Sequence, residues 1–274
     1  MRFGLDVAQQ RMPFDEIVSR TKFAEDLGFD GVWGFDHFQP MYGDGPGETF
    51  EGMTTLAALA GVTSRIRLGL LVAGMTYRHP SVFAAEAVTI DHASHGRLEL
   101  SFGAAWFDKE HHELGIPFPA TGKRFDLLED SLEIAKRLFT GETVSYDGKV
   151  VSLSNARINP KPVQQPGPPI WIGGAGPKRT LPLVAKYADV WHSFGSPNQL
   201  ADASARVDEL AEQAGRDPRS IMRAGSLSLD DLDTARKHAG KWRDFGAGYL
   251  VCGWPGEGRK QVEAFARDVM PEFS

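Results

Sequence analysis

The sequence predicts an α/β fold, a (β/α)8 barrel with a small hairpin and a proline-rich insertion before its fifth strand. Three observations lead there. Short apolar runs with strand character alternate with one-sided helical patterns almost without break, which implies a parallel sheet covered by helices. Eight such strand–helix units occupy roughly 250 residues, the size of a closed barrel. The pattern departs from alternation only over residues 142–169. A doubly wound open sheet is the rival arrangement, and it usually closes in fewer units.

The first unit joins the apolar run Phe3–Val7 to a helix opened by Pro13. That helix carries Phe14, Ile17, Val18, Ala24 and Leu27 and is closed by Gly28. Proline suits the start of a helix and glycine the position just past its end. Gly31–Phe35, Ile66–Ala73 and Arg97–Gly103 read as the next strands, followed by helices over Thr54–Val62, Ser81–Ala93 and about Gly122–Phe139. The last helix places Phe125, Leu128, Leu132, Ala135 and Phe139 on one face. Val144–Val151 reads as a hairpin around the Asp147-Gly148 turn, and NPKPVQQPGPP (159–169) as an extended link. Alternation then resumes with strands Ile170–Ile172, Asp189–His192, Met222–Leu229 and Tyr249–Cys252. Their helices are Lys178–Tyr187, Gln199–Ala214, Asp230–Phe245 and a final one bearing Val262, Phe265, Ala266, Val269 and Met270. Residues 1–274 are expected to form one domain.

Composition narrows the function. At 42% apolar and 24% charged residues, the chain can bury a sizeable core. A net charge of -6 offers no basic excess to neutralise nucleic-acid phosphates or anionic lipid. Cys252 is the one cysteine, which precludes an internal disulfide and fits a reducing compartment. The N-terminal stretch MRFGLDVAQQRMPF lacks the apolar run of a secretory signal, and no segment approaches the ~20 apolar residues of a membrane span. A cytoplasmic protein acting on a small molecule, with no nucleic-acid or membrane partner, is expected.

In a barrel the residues after each strand form the site. After the second strand come Asp36 and His37, and an imidazole exchanges protons near neutral pH with an adjacent carboxylate available to orient or charge it. A plain polar turn would use the same two residues. His111 and His112, beside Glu110 and Glu113, lack metal-ligand spacing and read as a solvated helix start, so no metal is expected. Trp106, Trp191 and Trp254 read individually as core aromatics, with ring stacking as the alternative. No nucleophile elbow for serine hydrolysis is visible. After the fifth strand, IWIGGAGPKRT (170–180) runs from strand through glycines into a helix start. It matches neither dinucleotide nor Walker patterns. Free amides at a helix N-terminus attract phosphate, with Pro177 unable to donate and Arg179 adding charge.

These segments together resemble the luciferase-like monooxygenase superfamily over nearly the whole chain. The resemblance rests on FAEDLGFDGVWGFDHF (23–38), TTLAALAGVTSRIRLGLLV (54–72), YRHPSVFAAEAVTIDHASHGRLELSFGAAW (77–106) and IGGAGPKRTLPLVAKYADVW (172–191). ELGIPFPATGKRFDLLEDSLEI (113–134) is most similar to the branch using coenzyme F420, a deazaflavin. It implies an F420-dependent oxidoreductase, with His37 as proton donor or acceptor at the ring and Asp36 beside it. Leu71-Val72 falls where the family carries a non-prolyl cis peptide behind the ring. Thr76, Gly103, Ala104 and Trp106 would flank the ring and its chain, and Gly173, Gly174, Ala175 and Gly176 would bind the cofactor phosphate. The alternatives are an FMN-dependent monooxygenase of the same superfamily and a non-catalytic cofactor-binding barrel. The family likeness also implies a homodimer. Little inserted material follows the last two strands, so the substrate site is expected to be open or completed by a partner subunit.

Overall fold

The computed structural model describes residues 1–273 and forms a closed barrel of eight parallel strands. These are β1 (Arg2–Asp6), β2 (Gly31–Gly34), β3 (Arg67–Leu70), β4 (Leu98–Phe102), β7 (Ile170–Gly173), β8 (Val190–His192), β9 (Met222–Leu227) and β10 (Ala247–Cys252). Around the barrel they follow chain order, and β10 closes onto β1 with Phe3 opposite Leu250 and Leu5 opposite Cys252. Outside the barrel, β5 (Val144–Asp147) and β6 (Ser152–Ala156) pair antiparallel. The helices are α1 (Phe14–Asp26), α2 (Gly52–Ala60), α3 (Pro80–Ala93), α4 (Asp108–Leu114) and α5 (Thr121–Leu138) in the first half. In the second half they are α6 (Thr180–Tyr187), α7 (Pro197–Gln213), α8 (Leu232–Asp244) and α9 (Arg259–Asp268). The expected eight-unit alternation is therefore the observed fold, and no helix among the described residues is long and apolar enough to cross a membrane.

Aromatic side chains fill the barrel. Trp33, Trp171 and Tyr249 meet inside it with Val190, Ala224 and Val251, the two indoles 4.3 Å apart. Gly4 and Gly69 leave the room they need, because a side chain at either position would overlap the Trp33 indole. Outside the strands the helices bury Phe83, Leu132, Val184 and Phe265, each contributing about 2 kcal/mol of apolar burial. Strand alternation then aims residues two beyond this inward row at the open C-terminal mouth.

Several boundaries differ from the sequence reading. The hairpin's second strand starts at Ser152, past the expected 144–151 span. Asp130 on α5 explains this, since its carboxylate accepts the amides of Lys149, Val150 and Val151 and takes them out of any ladder. Helix α6 starts at Thr180 and not Lys178, because Pro177–Arg179 form a turn whose Gly176 carbonyl accepts from both Thr180 and Leu181. The third strand is shorter than Ile66–Ala73 and stops at Leu70, one residue before a cis Leu71–Val72 peptide bond.

Candidate active site

Among the described residues the Nε2 of His37 has no partner, whereas both carboxylate oxygens of Asp36 are engaged. The His37 Nδ1 lies 2.6 Å from Glu110 Oε1. Glu110 also accepts the Phe38 amide on Oε2 at 2.9 Å and the Tyr77 hydroxyl on Oε1. Burial pushes the Glu110 pKa up, but His37, Tyr77 and the Phe38 amide outweigh it and hold the carboxyl below its ordinary range. An ionised carboxylate only accepts, so Nδ1 carries the proton and Nε2 is left for exchange. Phe35, Trp106, Phe107 and Tyr77 surround the imidazole with ring centroids 5.6 to 6.5 Å away. Trp106 is 66% exposed and does not belong to the core.

Asp36 does not pair with His37, which corrects the expectation that it orients or charges the imidazole. Its chain is buried at the end of β2 and its oxygens accept from the Gly74 amide at 2.9 Å and from both terminal nitrogens of Arg78 at 2.7 and 2.8 Å. Arg78 also donates to Glu51, whose carboxylate caps α2 through the amides of Met53 and Thr54. Burial works against the Arg78 charge, and Asp36 and Glu51 overcome it and hold its pKa high. Asp36 thus ties the second and third strand loops together.

The segment read as a solvated helix start is α4, and it is not solvated: Glu110 and His111 are both 0% exposed. His111 Nδ1 faces the Phe107 carbonyl at 2.7 Å and so carries the proton, while Nε2 accepts the Thr76 hydroxyl at 2.7 Å. The Tyr77 ring stacks on His111 at 4.5 Å. Thr76 therefore turns its hydroxyl toward α4. Sequence reasoning missed Glu110, Tyr77 and Arg78, although the last two sit in the quoted segment that follows the third strand. Among the described residues no group of three or more His, Cys, Asp or Glu side chains is gathered around a metal position.

Leu71–Val72 is cis, and Val72 projects toward the ends of β4 and β7. A Cβ at Gly103 would lie 2.6 Å from Val72 Cγ2, and one at Gly173 would lie 3.1 Å from both its methyls. Gly103 also bridges to Gly74, with its amide donating to Ala73 and its carbonyl accepting from Met75. Next to it, the Ala104 carbonyl accepts from Arg124 at 3.2 Å.

The glycine loop lies beyond β7. Gly174 has φ 107, a conformation that favours glycine, and its amide and carbonyl are fixed by the His192 carbonyl and the Trp191 indole. Trp191 is thus a core residue holding the loop. Among the described residues the amides of Ala175, Gly176, Lys178 and Arg179 find no backbone or side-chain acceptor. A Cβ at Gly176 would come 2.9 Å from Thr180 Oγ1. Four free amides ahead of a helix form a cradle for an anionic group. Arg179 departs from its expected part, because its guanidinium pairs with Asp126 on α5 at 2.7 Å and anchors the loop sideways.

A closed (β/α)8 barrel that gathers a paired histidine, an aromatic collar and an anion cradle at the C-terminal ends of its strands is a barrel enzyme. The chain belongs to the luciferase-like monooxygenase family, whose model matches residues 1–268, and it is an oxidoreductase. It is 34% identical over 249 residues to an F420-dependent glucose-6-phosphate dehydrogenase of Microbacterium testaceum, covering 88% of this chain and 73% of that protein. An F420-dependent hydroxymycolic acid dehydrogenase of Mycobacterium tuberculosis is 28% identical over 264 residues, covering 95% of this chain and 72% of the relative. Among solved structures, an F420-dependent secondary alcohol dehydrogenase in complex with an F420–acetone adduct superimposes with a TM-score of 0.89 at 18% identity. That superposition covers 100% of this chain and 99% of the other, and at this identity it bears on the fold alone.

Proposed function

We propose that the chain is a coenzyme F420-dependent oxidoreductase that moves a hydride between the cofactor and a small organic substrate, with His37 carrying the coupled proton. The observation that carries this reading is the His37–Glu110 pair, which fixes Nδ1 and leaves Nε2 for proton transfer. The names of the two F420-dependent relatives support the choice of cofactor over FMN.

The residues present fit such a cofactor. Gly173, Gly174, Ala175 and Gly176 would hold its phosphate, since side chains at 173 and 176 would crowd Val72 and Thr180 and the cradle amides are free. Val72, Gly103, Ala104 and Trp106 would bound its ring, with Leu71 leading into the bulge and Thr76 behind. When bound, F420 supplies the two-electron chemistry, and the protein provides orientation and acid–base control. Neutral His37 would take the proton that leaves an alcohol oxygen, and Glu110 would stabilise the imidazolium that results. In the reductive direction the imidazolium would return it. Trp106 and Phe107 would keep water from Nε2.

The test follows the deazaflavin absorbance of F420-loaded protein mixed with a panel of secondary alcohols, sugars and aldehydes. Turnover that falls at least a hundredfold in His37→Ala, with F420 affinity retained, is the expected result. Unchanged turnover in His37→Ala would remove it from the mechanism. We further propose, on family likeness, a cytoplasmic homodimer built from one domain per chain, with a light-scattering mass as its check.

A further inference from the structure

The loop after β3 sends three consecutive side chains to three different partners. Thr76 donates to His111 Nε2, Tyr77 donates to Glu110, and Arg78 pairs with Asp36 and Glu51. The first two contacts reach neighbouring residues of α4, and the third reaches the end of β2. Tyr77 is the member of the three that connects to His37, through a carboxylate oxygen that both residues use.

Glu110 Oε1 is that oxygen. It accepts from His37 Nδ1 at 2.6 Å and from the Tyr77 hydroxyl, while Oε2 takes the Phe38 amide at 2.9 Å. Glu110 is buried, so these donors stand in for its solvation. Burial and the Glu110 carboxylate raise the Tyr77 pKa, so the phenol stays protonated and donates. Two donors on one oxygen divide its charge. What the phenol draws is no longer available to the imidazole N–H.

The phenol is held in that position. Its ring stacks on His111 at 4.5 Å and meets the Phe38 ring edge-on at 5.2 Å. His111 is itself fixed by the Phe107 carbonyl and the Thr76 hydroxyl. Asp36 and Arg78 also face Tyr77, but they are joined to each other through both guanidinium terminal nitrogens. Around His37 the other ring neighbours, Phe35, Trp106 and Phe107, carry no charge. Among the described residues Glu110 is therefore the charge that bears directly on the imidazole, and Tyr77 is the side chain that tempers it.

A base that takes a proton from an alcohol has to be unprotonated beforehand. A buried carboxylate devoted wholly to Nδ1 would favour the imidazolium and hold a proton on Nε2. Sharing the oxygen weakens that pull and leaves the ring orientation intact. We infer that Tyr77 is a positioning residue that sets the proton affinity of His37 by drawing on the same Glu110 oxygen. This rests on the proton-transfer role proposed for His37 and adds the residue that tunes it. Tyr77 acts through Glu110.

Tyr77→Phe tests it, because phenylalanine keeps the stack on His111 and removes only the hydroxyl. In cofactor-free, 15N-histidine-labelled protein the His37 Nδ1 proton should move downfield as Oε1 turns wholly to it. With F420 and the fastest alcohol of the panel above, the acid limb of kcat/KM should move to higher pH by about 0.5–1 unit. A residue that merely supports α4 would lower the plateau and leave the limb in place. A fluorinated tyrosine at position 77, a more acidic donor, should move the limb the other way. In a Glu110→Gln background, Tyr77→Phe should not move the limb at all, since the shared charge is already gone. An Nδ1 proton that stays put or moves upfield, an unmoved acid limb, or an equal move in the Glu110→Gln background would each overturn the inference. Turnover in His37→Ala equal to wild type would instead overturn the proton-transfer reading, and the Nδ1 resonance would still decide whether Tyr77 and His37 compete for Glu110.

Discussion

Replacing Asp36 by alanine removes the acceptor of three hydrogen bonds, two of them from the Arg78 guanidinium. The Arg78 side chain is only 10% exposed, so its charge would lose its closest compensation in a dry setting. Breaking one partner of such a buried pair costs about 3–5 kcal/mol. Arg78 keeps Glu51, and Glu86 at 3.3 Å, which places the expected loss near the lower end, about 3 kcal/mol. For a chain of this size that corresponds to a fall in Tm of roughly 6–12 °C. Urea unfolding followed by tryptophan fluorescence and thermal unfolding by circular dichroism would both read it. Asp36→Asn, which still accepts the Gly74 amide, should lose about half as much. F420 affinity, measured well below the transition, should stay within about threefold of wild type. An Asp36→Asn protein of unchanged stability that has lost cofactor affinity would refute the scaffold role and return Asp36 to the cofactor site.

Glu110→Gln keeps the shape of the His37 partner and removes its charge; turnover with F420 should fall about 10–100-fold, measured by deazaflavin absorbance. Because the folded pKa of Glu110 lies below its unfolded value, its contribution to stability is present above about pH 4.5 and is lost on acidification through the folded pKa. Wild-type and Glu110→Gln urea midpoints should therefore converge in acid. Gly174→Val forces a branched side chain to φ 107, and F420 affinity by fluorescence should fall more than tenfold while the circular dichroism spectrum holds. Asp6 has a raised folded pKa, about 6 against 3.8, so its ionisation lowers stability as pH climbs between those values. Asp6→Asn should match wild type near pH 4 and exceed it by about 2 kcal/mol at pH 8 in urea unfolding.

The barrel was legible because its signal is local. Apolar runs such as Phe3–Val7 and the one-sided pattern of Phe125, Leu128 and Leu132 each report an element without knowledge of its neighbours. The cis position at Leu71–Val72 was legible through family resemblance, tied to a short contiguous segment. What escaped is non-local. His37 and Glu110 are 73 residues apart, and Asp36 and Arg78 are 42 apart, so no spacing rule pairs them. Adjacency in the chain suggested Asp36 as the partner of His37, yet consecutive side chains leaving a strand point to opposite sides. Glu110-His111-His112 has the composition of a solvated helix start. Its burial follows from Phe107, Tyr77 and Phe118 packing over His111, which is a tertiary property. Arg179 was misjudged for a related reason: Asp126, 53 residues away, takes its charge.

Cofactor choice is the central claim, and titration of the purified protein with F420 and with FMN, each oxidised and reduced, tests it most directly. Protein and ligand fluorescence would give both dissociation constants. The expected result is saturable F420 binding at least tenfold tighter than FMN binding, with the F420 term lost in Gly174→Val. Tight FMN binding with no detectable F420 binding would contradict it and make the chain a flavin-dependent member of the family.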